Sequence, residues 1–110
     1  MNKEIKKEIE ELKEKIQALT FKIENPIGFK IDYYPFNQSF LTFLDQFNKL
    51  KQIRLDSYDN YNYYKIVKNK KGNIFIEEIE IKMSSNIKRL YKFDIEREML
   101  IQIKEEIINE

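Results

Sequence analysis

Ile5, Ile9, Leu12, Ile16, Leu19 and Ile23 follow one another at spacings of 4-3-4-3-4, and the positions between them are mostly Lys and Glu. That spacing is a heptad seam and predicts a helix over residues 1–24, stopped by Pro26. With Ile9, Ile16 and Ile23 at a and Ile5, Leu12 and Leu19 at d, the seam favours a parallel two-stranded coiled coil. In that pairing Glu8 faces Lys13 of a second copy, whereas an antiparallel pair tends to oppose Lys6 and Lys13. The charge effect is only about tenths of a kcal/mol per exposed pair, so it tilts the choice. A helix lying on its own sheet shows a wider apolar stripe. Here the flanking positions are Lys6, Glu8, Lys13, Lys15, Thr20 and Lys22, and the narrow stripe favours pairing between chains.

Beyond Pro26 the pattern changes. Residues 27–34 alternate Phe29, Ile31 and Tyr33 against Lys30 and Asp32, which predicts a strand ended by Pro35. Phe40, Phe43, Leu44, Phe47 and Leu50 recur at threes and fours and predict a helix over 39–52, capped by Asn37 or Ser39. A polar loop over 56–64 leads to strands over 63–68 and 74–83, joined by a hairpin turn at Asn69-Lys70-Lys71-Gly72-Asn73. Ile74 and Ile76 have the opposite parity to Ile79, Ile81 and Met83, so a β-bulge is expected at Glu77-Glu78. Ser84-Ser85-Asn86 reads as a turn into a strand over 87–93. Asp94 then reads as the N-cap of a last helix with Ile95, Met99, Leu100, Ile103 and Ile107 on one face. An unbroken helix from about residue 86 is the competing reading. The expected architecture is α+β: a small antiparallel sheet of three to four strands with helices on one face, in the order α-β-α-β-β-β-α. Residues 1–24 form the dimerisation helix and 27–110 a single domain.

Composition narrows the chemistry. The 110 residues include no His, no Cys and no Trp, and 20 Lys+Arg stand against 19 Asp+Glu. These absences exclude zinc fingers, Cys–His and Ser–His nucleophile pairs, and disulfide frameworks. Sixty residues are Ile, Lys, Asn, Phe or Tyr, and eight are Gly, Ala, Arg or Pro. This matches the genome of an AT-rich bacterium, its phages or mobile elements, or an AT-rich eukaryote, and discounts any Lys- or Tyr-rich stretch as a signal by itself. No membrane span and no export signal is read from the sequence, so an intracellular protein is expected.

Glu80-Ile81-Lys82 with Asp56 or Asp59 suggests a magnesium-dependent nuclease, in which carboxylates hold the metal and a Lys positions the water. The chain has three acid-x-Lys triplets, the background expected of so charged a sequence. Asp56, Asp59 and Asn60 lack the alternation and glycine of a calcium loop. No catalytic residues, metal or cofactor are therefore expected. The remaining feature is a basic, Tyr-bearing middle: residues 53–92 hold nine cations and five acids. Tyr58, Tyr61, Tyr63, Lys65, Lys70 and Lys71 are the expected partner-binding set. Another protein is the first expected partner, with the chain acting as an inhibitor or adaptor. Nucleic acid on the same Tyr/Lys face is the alternative. A nucleotide pocket lined by Tyr33, Tyr34, Tyr58 or Tyr61 is the third reading.

Overall fold

Asn2 caps a helix that runs, without Gly or Pro, across Lys3–Glu24 (α1), its side chain accepting from Glu4 N at 3.1 Å. The computed structural model describes residues 2–34, 38–55 and 62–108, with Tyr34 described through its backbone alone. Asn25 ends α1 by donating its backbone N–H to Phe21 O at 2.8 Å, and Gly28, at φ +90°, turns the chain into the first strand. At roughly 1.5 Å per residue α1 is about 33 Å long. It gives the molecule a long axis of 63 Å against 35 and 24 Å.

Seven strands follow among the described residues. Phe29–Tyr34 (β1), Gln38–Leu44 (β2) and Leu50–Arg54 (β3) form a three-stranded antiparallel sheet. Asn62–Lys68 (β4), Ile74–Ile81 (β5), Asn86–Asp94 (β6) and Met99–Ile108 (β7) form a four-stranded antiparallel meander. Alternation decides what each sheet buries. Leu41 and Phe43 of β2 meet Tyr64 of β4 and Ile76 of β5 in the core, with Phe29, Ile31, Ile53, Ile66, Tyr91, Phe93 and Leu100 around them. Phe93 meets Phe29 edge-on at 5.4 Å and Phe43 at 4.6 Å, locking the sheets face to face. The Tyr33 hydroxyl donates to Tyr64 O, and Lys51 binds Glu98 at 2.8 Å, tying the sheets at two further points.

The expected helices on a sheet face are absent from this arrangement. Residues 39–52 are β2, a turn and β3, because Asp45 and Asn48 supply turn chemistry in mid-segment. Asp45 Oδ1 accepts from Phe47 N at 2.8 Å and Lys49 N at 2.9 Å, and Asn48 takes φ +60°. Ser39, proposed as a cap, is buried inside β2, while Asn37 lies outside the described residues. The segment after Asp94 is a turn and β7. Asp94 Oδ1 does accept from Glu96 N and Arg97 N, but in a hairpin turn whose Glu98 sits at φ +53°. The same Asx chemistry serves both helix caps and turns, and the tertiary pairing of β6 with β7 decides between them.

The bulge is also relocated. β5 runs in unbroken register against both neighbours, so Glu77 and Glu78 point to opposite faces. The register shift lies between β6 and β7, at Leu90/Tyr91. The hairpin at 69–73 forms as expected, with Gly72 at φ +88° and Asn69 Oδ1 accepting from Lys71 N and Asn73 N. Within the described residues no helix is long and apolar enough to cross a membrane.

Candidate functional site

The buried residues of α1 are Ala18 and Phe21. At 100° per residue, Phe21 sits roughly 160° around the helix from the centre of the Ile/Leu seam. The helix therefore docks on the β-body with the side opposite its apolar stripe. Phe21 is 6% exposed, whereas the six seam residues Ile5, Ile9, Leu12, Ile16, Leu19 and Ile23 are 42–77% exposed. A groove of about 790 Å³, lined by Ala18, Leu19, Leu44 and Phe47 among others, separates the helix from the β2–β3 hairpin. Most of a helix's stability in a protein comes from packing its apolar face, and a row of six large aliphatic side chains left wet forgoes that gain. The chain thus builds a seam that its own body does not use.

A second constellation lies on the inner face of the four-stranded sheet, buried at Tyr64 and Glu78 and reaching solvent at Glu105. Across the four strands, Tyr64, Glu78, Arg89 and Glu105 stand side by side in one row on the same face of the sheet. Glu78, 5% exposed, accepts from Tyr91 Oη at 2.6 Å, Arg89 Nη1 at 3.1 Å and Asn62 Nδ2 at 2.7 Å. Tyr64 Oη lies 2.7 Å from both Glu78 and Leu55 O, so its single proton serves one of them at a time. Arg89 in turn donates to Glu80 at 2.6 Å and to Glu105 at 3.1 Å. Burial works against the charge on Glu78, but the hydrogen bonds from Tyr91, Tyr64, Arg89 and Asn62 outweigh it and hold its carboxyl below the ordinary range. Burial, followed by the neighbouring Glu78 charge, pushes the Tyr64 and Tyr91 hydroxyls up. Arg89 is raised by its bonds to Glu80 and Glu78. The charged groups of this ion-pair network are occupied with one another, while Asn62 Oδ1 is left buried without a hydrogen-bond partner among the described residues, and the arrangement is suited to fixing strand register.

Glu80, the acid of the candidate nuclease triplet, is engaged by Arg89 and lies 3.6 Å from Lys82. Asp56, Asp59 and Asn60 lie outside the described residues. Among the described residues no group of three or more His, Cys, Asp or Glu is gathered to hold a metal.

Of the expected partner-binding set, Tyr58 and Tyr61 lie outside the described residues. Tyr63 (59% exposed) and Lys65 share the outer face of β4, where Lys65 pairs with Glu77 at 3.4 Å. Lys70 and Lys71 lie in the β4–β5 turn, so the strand separates them from Tyr63 by about 20 Å. The structure thus spreads this set along a strand. Of the residues expected to line a nucleotide pocket, Tyr33 bonds to Tyr64 O.

The outer face of the four-stranded sheet gathers residues the sequence pattern did not single out. Val67 stands opposite Phe75, Lys92 opposite Ile101, Leu90 between Glu77 and Lys104, and Lys88 between Ile79 and Glu106. Together with Lys68 and Asn69, several of these enclose a shallow concavity of about 440 Å³. The signal that finds them is the period-two alternation of β5 and β6, once the register is known.

No family model, no curated protein and no solved structure matches the chain.

Proposed function

We propose that this protein works by association rather than catalysis, and that its first partner is a second copy of itself, joined through α1. The observation that carries this reading is the orientation of α1: Phe21 and Ala18 face the body while the Ile/Leu seam faces away. A second copy is the occupant that fits, because the seam repeats with Ile at a and Leu at d and is self-complementary in a parallel pair. Charge agrees, since Glu8 of each helix meets Lys13 of the other across the seam. Among the described residues of the single chain Lys13 pairs with Glu10 alone, at 3.6 Å and largely exposed, and is available to exchange partners. The pair then carries its two β-bodies on opposite outer sides, leaving their surfaces open to further partners.

The seam spans about three heptads, the lower limit for a coiled coil, so the dimer forms in the micromolar range. Sedimentation equilibrium is the test. A dimer at micromolar concentration, converted to monomer by Ile16→Lys, supports the reading. A monomer at about 100 μM would sink it.

A further inference from the structure

Charge is segregated between the two faces of the β4–β7 sheet. The inward face gathers Glu78, Glu80 and Glu105 around Arg89, with Lys68 at its far end beside the β4–β5 turn. The outward face and the β4–β5 turn hold six lysines, at positions 65, 70, 71, 88, 92 and 104, against the three acids Glu77, Asp94 and Glu106, in a chain whose net charge is only +1. Lys65 and Lys88 bracket Glu77 at 3.4 and 3.5 Å, and Lys104 stands 3.6 Å from Glu106. Lys70, Lys71 and Lys92 have no acidic partner among the described residues. An excess of ammonium groups on one side of a sheet, around a concavity floored by Phe75, Val67 and Leu90, is complementary to a polyanion with apolar flat parts.

We propose that the outer face of the β4–β7 sheet binds single-stranded nucleic acid. Phe75 in the concavity and the exposed Tyr63 supply ring faces for unstacked bases, and Lys88, Lys92 and Lys104 meet the phosphates. A duplex keeps its bases stacked and shows this face only phosphates, so it gains nothing from the aromatic rings. The proposal is independent of pairing through α1, which uses the other side of the molecule.

The test is fluorescence anisotropy of labelled oligo(dT) and oligo(rU) with the full-length chain, beside a labelled duplex and poly-glutamate as competitor. Single strands should bind at low salt, with log affinity falling against log salt at a slope of about −0.7 per phosphate neutralised. Phe75→Leu, which keeps an apolar floor but removes the ring, should weaken binding about fivefold or more, and Phe75→Tyr should retain it. Lys92→Gln and Lys104→Gln should each make the slope shallower by about 0.7. Circular dichroism confirms that each variant is folded. The proposal is overturned by no binding at about 100 μM protein, the weak end of non-specific affinity. Duplex binding as tight as single-strand binding, poly-glutamate competing equally well, or binding indifferent to Phe75→Leu would each overturn it too.

Discussion

Arg89 stands directly across the β5–β6 ladder from Glu78, and its Nη1 donates to Glu78 at 3.1 Å while also holding Glu80 at 2.6 Å. A one-residue slip of β6 would move Arg89 to the outer face and strand Glu78 as an unpaired buried charge. The ion pair therefore penalises wrong registers more than it stabilises the right one.

Removing that charge tests the point. Glu78→Gln should cost about 2–3 kcal/mol, below the usual figure for a broken buried pair because Arg89 keeps Glu80 and Glu105. Urea unfolding with an unchanged slope is the measurement.

The pH profile should be limited at both ends. The carboxyl of Glu78 ionises below its unfolded value of about 4.3, so its contribution is complete above that pH and is lost as acid protonates it in the fold. Tyr64 and Tyr91 are raised, so their contribution is complete below about pH 10 and declines as the unfolded chain begins to ionise. Stability measured against pH should form a plateau with shoulders on both sides. Glu78→Gln should flatten the acid shoulder, and Tyr91→Phe should reduce the alkaline one.

Two helix variants should separate the roles of the two sides of α1. Ile16→Lys places charge in the seam and should yield a monomer with an intact β-body. Phe21→Ala should keep the dimer but loosen the helix from the body, read as faster proteolysis near Asn25 with unchanged sedimentation.

The β-body should fold without α1. Its core is built from Leu41, Phe43, Tyr64 and Ile76, none of them helical. A chain of residues 27–110 should show a strand-type circular dichroism spectrum and cooperative melting. An unfolded product would place Phe21 in the core proper.

The β2–β3 turn offers a local check. Asn48 sits at φ +60°, so Asn48→Ala should destabilise by about 1 kcal/mol while Asn48→Gly is neutral or better. Asp45 is held ionised below the ordinary range by the Lys49 backbone N–H, and, against burial, by the Phe47 N–H and by Lys51. Asp45→Asn should keep part of the turn and lose the link to Lys51.

The sequence by itself determined those features whose cause is local. The α1 seam, the β1 alternation of Phe29, Ile31 and Tyr33, and the Gly72 hairpin all rest on spacings or conformations that neighbours impose. Residues 39–52 and 95–107 were legible only as apolar residues at threes and fours, a spacing that a hairpin also produces when the strand faces alternate around a turn. Asp45, Asn48 and Asp94 carried the turn signal, but the same residues cap helices. Pairing across the chain settled it: Leu44 opposite Leu50, Phe93 opposite Leu100, and two sheets closed around Phe93. Tertiary structure alone decided which way the glutamates of β5 face, because a side chain's face is fixed by register, and register depends on partners far along the sequence.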